Sequence, residues 1–364
     1  MHSEKLLNWM AKKRLLKYAK LYVKVFKKVV KSSLNLKNEE VLIIGDYGCF
    51  KRRVSPIITT AYYLAMLSYG IKPKVVMQQM KSASDDADME VIQALKDLKK
   101  KGSVVVVNVS NKLGGFKLLG RSFRRYMKYK NARFVSTSGL ASIKTSKLPK
   151  LIKAYDIDYD KLKRKQNELK KLLDMAREVR IVTKTGTDVV FDIKKQKAIS
   201  IDGDYRQSFN GGNLPAGEVY LAPNLKGVNG VIYVDGSARY SEGTALVKKP
   251  IKMVVKNGSV VKIQGGVEAR YLNWTLKKAM KKAKFPMNVT KIGELGIGMN
   301  VNASIIGAMV VDEKSYATVH VALGSNYWFG GPVRSIVHLD QVIKNPRMFI
   351  DGKEYKWPKK NELK

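Results

Sequence analysis

The hexapeptide VLIIGD, residues 41–46, is an unbroken aliphatic and β-branched run closed by glycine and aspartate. A strand with no polar alternation is buried on both faces, as in a parallel sheet covered by helices on either side. Upstream, residues 4–31 carry Leu7, Met10, Ala11, Leu15, Ala19, Tyr22, Val23, Phe26 and Val30 at three-to-four spacing with lysines between, which predicts one amphipathic helix. Downstream, a helix-like stretch over 55–69 has Pro56 in its tolerant first turn and Gly70 at its end. The alternation then repeats: strand-like Lys74–Gln78, helix-like 88–100, strand-like 104–109, helix-like 120–130, strand-like 132–136. Strands and helices alternating at this spacing predict a Rossmann-like α/β unit with a parallel sheet.

Residues 148–177 hold few breakers and read as one basic linking helix. The texture changes at Val179. VRIVTKTGTDVVFDI, residues 179–193, sets two alternating runs around a Thr-Gly-Thr-Asp turn, which is a hairpin signal. Short β-like runs follow at Val228–Val234, 252–255, 260–263, 319–323 and Arg347–Ile350, with helical texture only over 270–283. The expected organisation is an α/β domain over 1–176, opened by the basic helix, and a β-rich α+β metal-binding domain over 177–364.

Composition narrows the function. With 69 Lys+Arg against 30 Asp+Glu, the net charge is +39, which suggests an anionic partner such as nucleic acid. RSFRRYMKYKNARF, residues 121–134, is the best segment for that role, with cations for phosphates and aromatic rings for bases. The competing reading is a solvated helix whose aromatics belong to the core, and it is preferred because lysine is dispersed along the whole chain. The single cysteine, Cys49, forbids an intramolecular disulfide and a thiolate zinc site and fits a reducing, cytoplasmic setting. Lysines interrupt every long apolar run, so neither a membrane span nor a secretory signal is expected. No Walker loop and no GxGxxG after the first strand supports a nucleotide site.

Only three histidines exist, His2, His320 and His338. In VHLD, His338 and Asp340 are two apart, so on a strand both point to one face and can grip one divalent ion. His320 lies eighteen residues earlier in TVHVALG. Glu218 in NLPAGEVYLAP and Glu294 in KIGELGIGMN are lone acids among Gly, Pro and aliphatic residues; no basic residue adjoins Glu218, and Lys291 is the one near Glu294. Buried acids need a partner, a proton or a metal. With Asp312 and Glu313 ahead of His320, the set supplies donors for two metal ions.

Together, NLPAGEVYLAP, GVNGVIYVDGS, GELGIGMNVNA, DEKSYATVHVALGSN and IVHLD, in that order, resemble the aminopeptidase T family of leucyl aminopeptidase-type metallopeptidases, and the likeness runs over roughly residues 18–352. The resemblance implies an α/β domain, a β-rich domain with two divalent ions (Zn, Co, Mn or Mg) and a homodimer. It implies Glu218, Glu294, Glu313, His320, His338 and Asp340 as ligands, with Glu294 bridging and Tyr327 near the metals as carbonyl polariser. Glu313 departs from the pattern, since its interval to His320 is two residues longer than in typical aminopeptidases. The expected activity is removal of N-terminal residues from small peptides by a metal-activated water. The alternative is a relative of that family, the 2,5-dihydroxypyridine dioxygenase type, which looks similar over the same fold and uses one Fe(II); His320, His338 and Asp340 form the two-histidine, one-carboxylate set such an enzyme needs, but the peptidase is preferred because Glu218 and Glu294 remain available for a second metal. Nucleic-acid binding with relic metal motifs is the third reading.

Overall fold

A computed structural model describes residues 3–50, 52–82, 84–207 and 211–363. The chain divides into two compact units, Met1–Asp160 with Gly203–Ala216, and Lys161–Asp202 with Gly217–Lys364. The expectation of a boundary at residue 176 therefore differs from the structure in two ways. The division falls within the helix Tyr159–Met175, and a later segment returns to the first unit. Within residues 148–177 the chain forms two helices, Leu148–Tyr155 and Tyr159–Met175.

The first unit is built on a five-stranded parallel sheet in the order Lys74–Gln78, Glu40–Asp46, Ser103–Asn108, Arg133–Thr137, Gly211–Asn213. Leu42, Ile43, Ile44 and Val104 to Val107 are all buried, so the absence of polar alternation marked strands covered on both faces. The edge strand Gly211–Asn213 has no β-propensity and escaped sequence reading. Its glycines are steric: a Cβ at Gly211 would lie 2.3 Å from the Phe134 ring, and one at Gly212 would lie 2.6 Å from the Tyr205 hydroxyl. The single N-terminal helix expected over 4–31 is instead Ser3–Lys12 and Leu16–Val29, running on into a π-helical turn, Val30–Leu34. Arg14 adopts a left-handed φ of 57° at the break. Apolar spacing continues across it, so periodicity cannot reveal it.

The basic, aromatic stretch 121–134 folds as the helix Phe123–Lys130 and the start of a strand. Phe123 packs edge-on to Phe134, 5.1 Å between ring centres, and Tyr126 and Met127 are buried. Arg121 and Arg124 lie over the rings of Tyr129 and Phe134, while the Lys130 ammonium caps the carbonyls of Lys96 and Leu98. These cations and rings are engaged within the unit.

The second unit holds two seven-stranded antiparallel sheets. One runs Ser259–Gln264, Ile251–Lys256, Val228–Val234, Asp188–Asp192, Glu178–Val182, Arg347–Ile350, Lys353–Glu354 and contains the predicted hairpin, with Val179, Ile181, Val189 and Phe191 buried on one face. The other runs Gly243–Leu246, Ser237–Tyr240, His338–Lys344, Thr318–Gly324, Ile292–Gly298, Glu218–Leu221, Ile199–Ile201. The helix Val267–Lys282 occupies the region of predicted helical texture. Among the described residues no helix is long and apolar enough to cross a membrane.

Candidate metal centre

Four neighbouring strands of the second sheet bring the acids and imidazoles together through their register. In adjacent antiparallel strands, residues directly opposite one another share a face. Glu294 opposes Ala322, which opposes Asp340; Gly296 opposes His320; Gly324 opposes His338; and Gly298 opposes Glu218. Glu218, Glu294, His320, His338 and Asp340 therefore project from one face, and glycine or alanine at the intervening sites leaves them room. A Cβ at Gly296 would lie 2.1 Å from His320 Nε2, so the imidazole rests directly on that glycine.

His320 Nε2 is 3.1 Å from Glu294 Oε1 and 3.7 Å from Glu218 Oε2. His338 Nε2 is 3.1 Å from Asp340 Oδ1 and 3.5 Å from Glu294 Oε2. Glu294, His320 and Asp340 each offer a donor atom within 4.8 Å of the others, and all three are buried. His338 Nδ1 donates to the Ser325 carbonyl at 2.8 Å, a contact that fixes the ring and leaves Nε2 facing the cluster. This donor chemistry fits a divalent ion: imidazole nitrogens and carboxylates converge on a desolvated point, and the acids there call for positive charge.

The electrostatics say the same. Burial acts to lower both imidazoles, yet the hydrogen bond to Glu294 and the charges of Glu294, Glu218 and Asp340 push His320 up to about 9. For His338 the Asp340 carboxylate, with Glu294 and the Ser325 carbonyl, overrides burial and raises the ring to about 10. Asp340 is itself held well below the usual carboxylate range, because His338, His320 and Arg239 outweigh its burial. A metal held by these imidazoles would take the place of their protons.

Two predicted ligands have a different neighbour. Glu218 and Glu313 each give an oxygen to the ammonium of Lys314, both at 2.5 Å, and Lys314 is fully buried. Burial pushes Glu218 up to about 7 against the pull of that ammonium. The sequence showed no base beside Glu218, because the lysine that reaches it is 96 residues away in the chain. Asp312 is fully buried but does structural work, accepting the backbone N–H groups of Ile306, Gly307 and Ala308; burial raises it to about 6. Tyr327 is 52% exposed, and the Arg334 guanidinium covers its ring. The aromatic ring beside the cluster is that of Trp328, 4.7 Å from His338, with Phe329 at 6.4 Å. Trp328 directly follows Tyr327 in the chain, and no spacing rule marks which of the adjacent rings packs on His338.

Comparison with known proteins separates the two enzyme readings. A 2,5-dihydroxypyridine 5,6-dioxygenase from Pseudomonas putida is 24% identical over 191 residues, covering 50% of this chain and 53% of the relative, so the chain spans about half the length of the curated relative it matches. The solved structure of 2,5-dihydroxypyridine dioxygenase from the same species superposes with a TM-score of 0.70 at 18% identity, over 92% of this chain and 95% of that one. Wild-type AmpT from Thermus thermophilus gives 0.62 at 16% identity, over 92% and 96%. These superpositions establish a shared two-unit fold, including a structural relation to aminopeptidase T. The expectation of a peptide hydrolase is overturned, because both the sequence relative and the family profile are dioxygenases. The profile of the NicX family, 2,5-dihydroxypyridine 5,6-dioxygenase, matches residues 149–355, more than half of the chain and every residue of the cluster, and the chain belongs to that enzyme family.

Proposed function

We propose that the protein is an iron(II)-dependent dioxygenase that opens the ring of a small dihydroxylated aromatic heterocycle of the dihydroxypyridine type. The observation that carries this reading is the donor set of a chain in that family: two imidazoles and a carboxylate, His320, His338 and Asp340, on one face of one sheet. Two histidines and one carboxylate suit Fe(II) with positions left open for small molecules. Bound there, the ion supplies the redox chemistry that lets O2 react with a closed-shell ring.

The chain's own residues do the rest. His338 is steadied by the Ser325 carbonyl and Asp340, and His320 by Glu294 and the glycine beneath it. Glu294 touches both imidazoles and is placed to accept the proton of a ring hydroxyl as the substrate binds. Trp328, half exposed and meeting the His338 ring at a steep angle with 4.7 Å between ring centres, is the aromatic group on which a planar heterocycle would stack. The buried strands behind the acids exclude bulk water from that side.

The test is anaerobic reconstitution with Fe(II) followed by oxygen-electrode measurements on a panel of dihydroxypyridines and dihydroxybenzenes. The expected result is substrate-dependent oxygen uptake with both atoms of labelled O2 in the ring-opened product. No uptake by the iron-loaded chain with any member of the panel refutes the proposal.

A further inference from the structure

Sequence alone counts enough donors for two metal ions, but the fold divides them. Glu294, His320, His338 and Asp340 face one another, whereas Glu218 and Glu313 converge on the Lys314 ammonium. We propose that Lys314 stands in the place of a second cation, so that the cluster takes one divalent ion and this side chain sets the count. The inference rests on reading the cluster as a metal centre and is independent of which reaction that centre supports.

Three observations carry it. The lysine is 0% exposed, and a buried ammonium needs compensating anions on all sides; here two carboxylates supply them. Glu218 is bidentate in the manner of a bridging carboxylate. One oxygen meets Lys314 Nζ at 2.5 Å and the other lies 3.7 Å from His320 Nε2. In two-metal sites a shared carboxylate joins ions about 3.5–4 Å apart. The ammonium therefore lies one carboxylate away from the donors of the first site, where a second ion would lie.

The lysine is also built into position rather than draped there. The Asn300 N–H donates to the Lys314 carbonyl at 2.8 Å, and the Lys314 N–H donates to Val311 at 3.1 Å. A Cβ at Gly298 would lie 2.1 Å from the Ser315 carbonyl oxygen, so only glycine at that position lets the 314–315 backbone close onto the strand that opposes Glu218. A divalent ion at Glu218 and Glu313 would have to displace a buried monocation that the backbone holds in place.

The experiment is metal counting on the full chain. Chelator-stripped protein is titrated with Mn(II) by calorimetry, with bound metal measured after gel filtration and by electron paramagnetic resonance. Wild type is expected to bind one ion per chain with an uncoupled signal. Lys314→Met, which removes the charge at similar length, is expected to bind two, the second more weakly and with exchange coupling. Two ions on wild type overturn the proposal, as does a folded Lys314→Met that still binds one. Should Lys314→Met fail to fold, Lys314→Gln, which keeps an N–H donor for the two carboxylates without the charge, is read in the same way: a second bound ion supports the proposal, and a single ion on the folded variant overturns it. Absence of ring cleavage by a chain that binds one ion would sink the dioxygenase reading and leave this inference standing.

Discussion

Gly296→Ala adds a methyl group where the His320 ring already rests. The new Cβ would lie 2.1 Å from Nε2, 2.2 Å from Cε1 and 2.8 Å from Cδ2, while ordinary contact begins near 3.4 Å. The backbone at Gly296 needs no left-handed conformation, so the effect is one of space alone. His320 is fully buried, and its strand is held by neighbours on both sides, so relief must come from the ring retreating by about an ångström. Overpacking of this kind costs about 1–3 kcal/mol, a fall of several degrees in the melting temperature of the metal-free chain. The larger effect is on the metal. Ligand distances tolerate only about 0.2 Å, and the retreat carries Nε2 away from Glu294, so affinity should fall by about 100-fold or more. Calorimetric titration of the stripped variant with Mn(II) or Fe(II), alongside thermal unfolding, measures both. A folded Gly296→Ala chain that binds metal as tightly as wild type would show that His320 is not a ligand.

Other outcomes follow from the same geometry. Both imidazoles are raised in the metal-free fold, to about 9 and about 10, so their contribution to stability is complete below the ordinary histidine value and is lost as pH climbs through those values. The stripped chain should therefore melt at lower temperature at pH 10 than at pH 7, while metal affinity strengthens over that window as protons leave; a melting temperature that rises with pH contradicts this. Asp340→Asn removes the main charge holding His338 up, and imidazole NMR on stripped protein should place its midpoint well below that of wild type. Glu294→Gln breaks the contact to both imidazoles and should lower metal affinity by about 10–100-fold, so unchanged metal content would count against the centre. Trp328→Ala should leave metal content intact and raise KM for the ring substrate several-fold, the loss of one stacking contact of about 1 kcal/mol. If KM and kcat are both unmoved, the substrate does not stack there.

Much was legible from residues alone. The unalternating run at 41–46 announced a parallel sheet, because a strand covered on both faces has no solvent side to mark with polar residues. The hairpin at 179–193 announced itself by the reverse pattern. His338 and Asp340 were joined by the two-residue period of a strand, which is local geometry. The apolar settings of Glu218 and Glu294 flagged acids in need of partners.

What those partners are was not local. Glu218 meets Lys314 through strand register and the close approach that Gly298 permits, and no spacing rule links residues 218 and 314. The strand Gly211–Asn213 joins the sheet on steric fit to Phe134 and Tyr205, against its own propensity. That the ring packed on His338 is Trp328 depends on how the turn directs its side chains. By itself, then, the sequence determined the fold class and nominated the candidate donors, because periodicity and apolar setting are written in neighbouring residues. Tertiary structure alone decided how the donors are shared between one group of imidazoles and acids and one buried ammonium, because that depends on side chains brought together from distant strands.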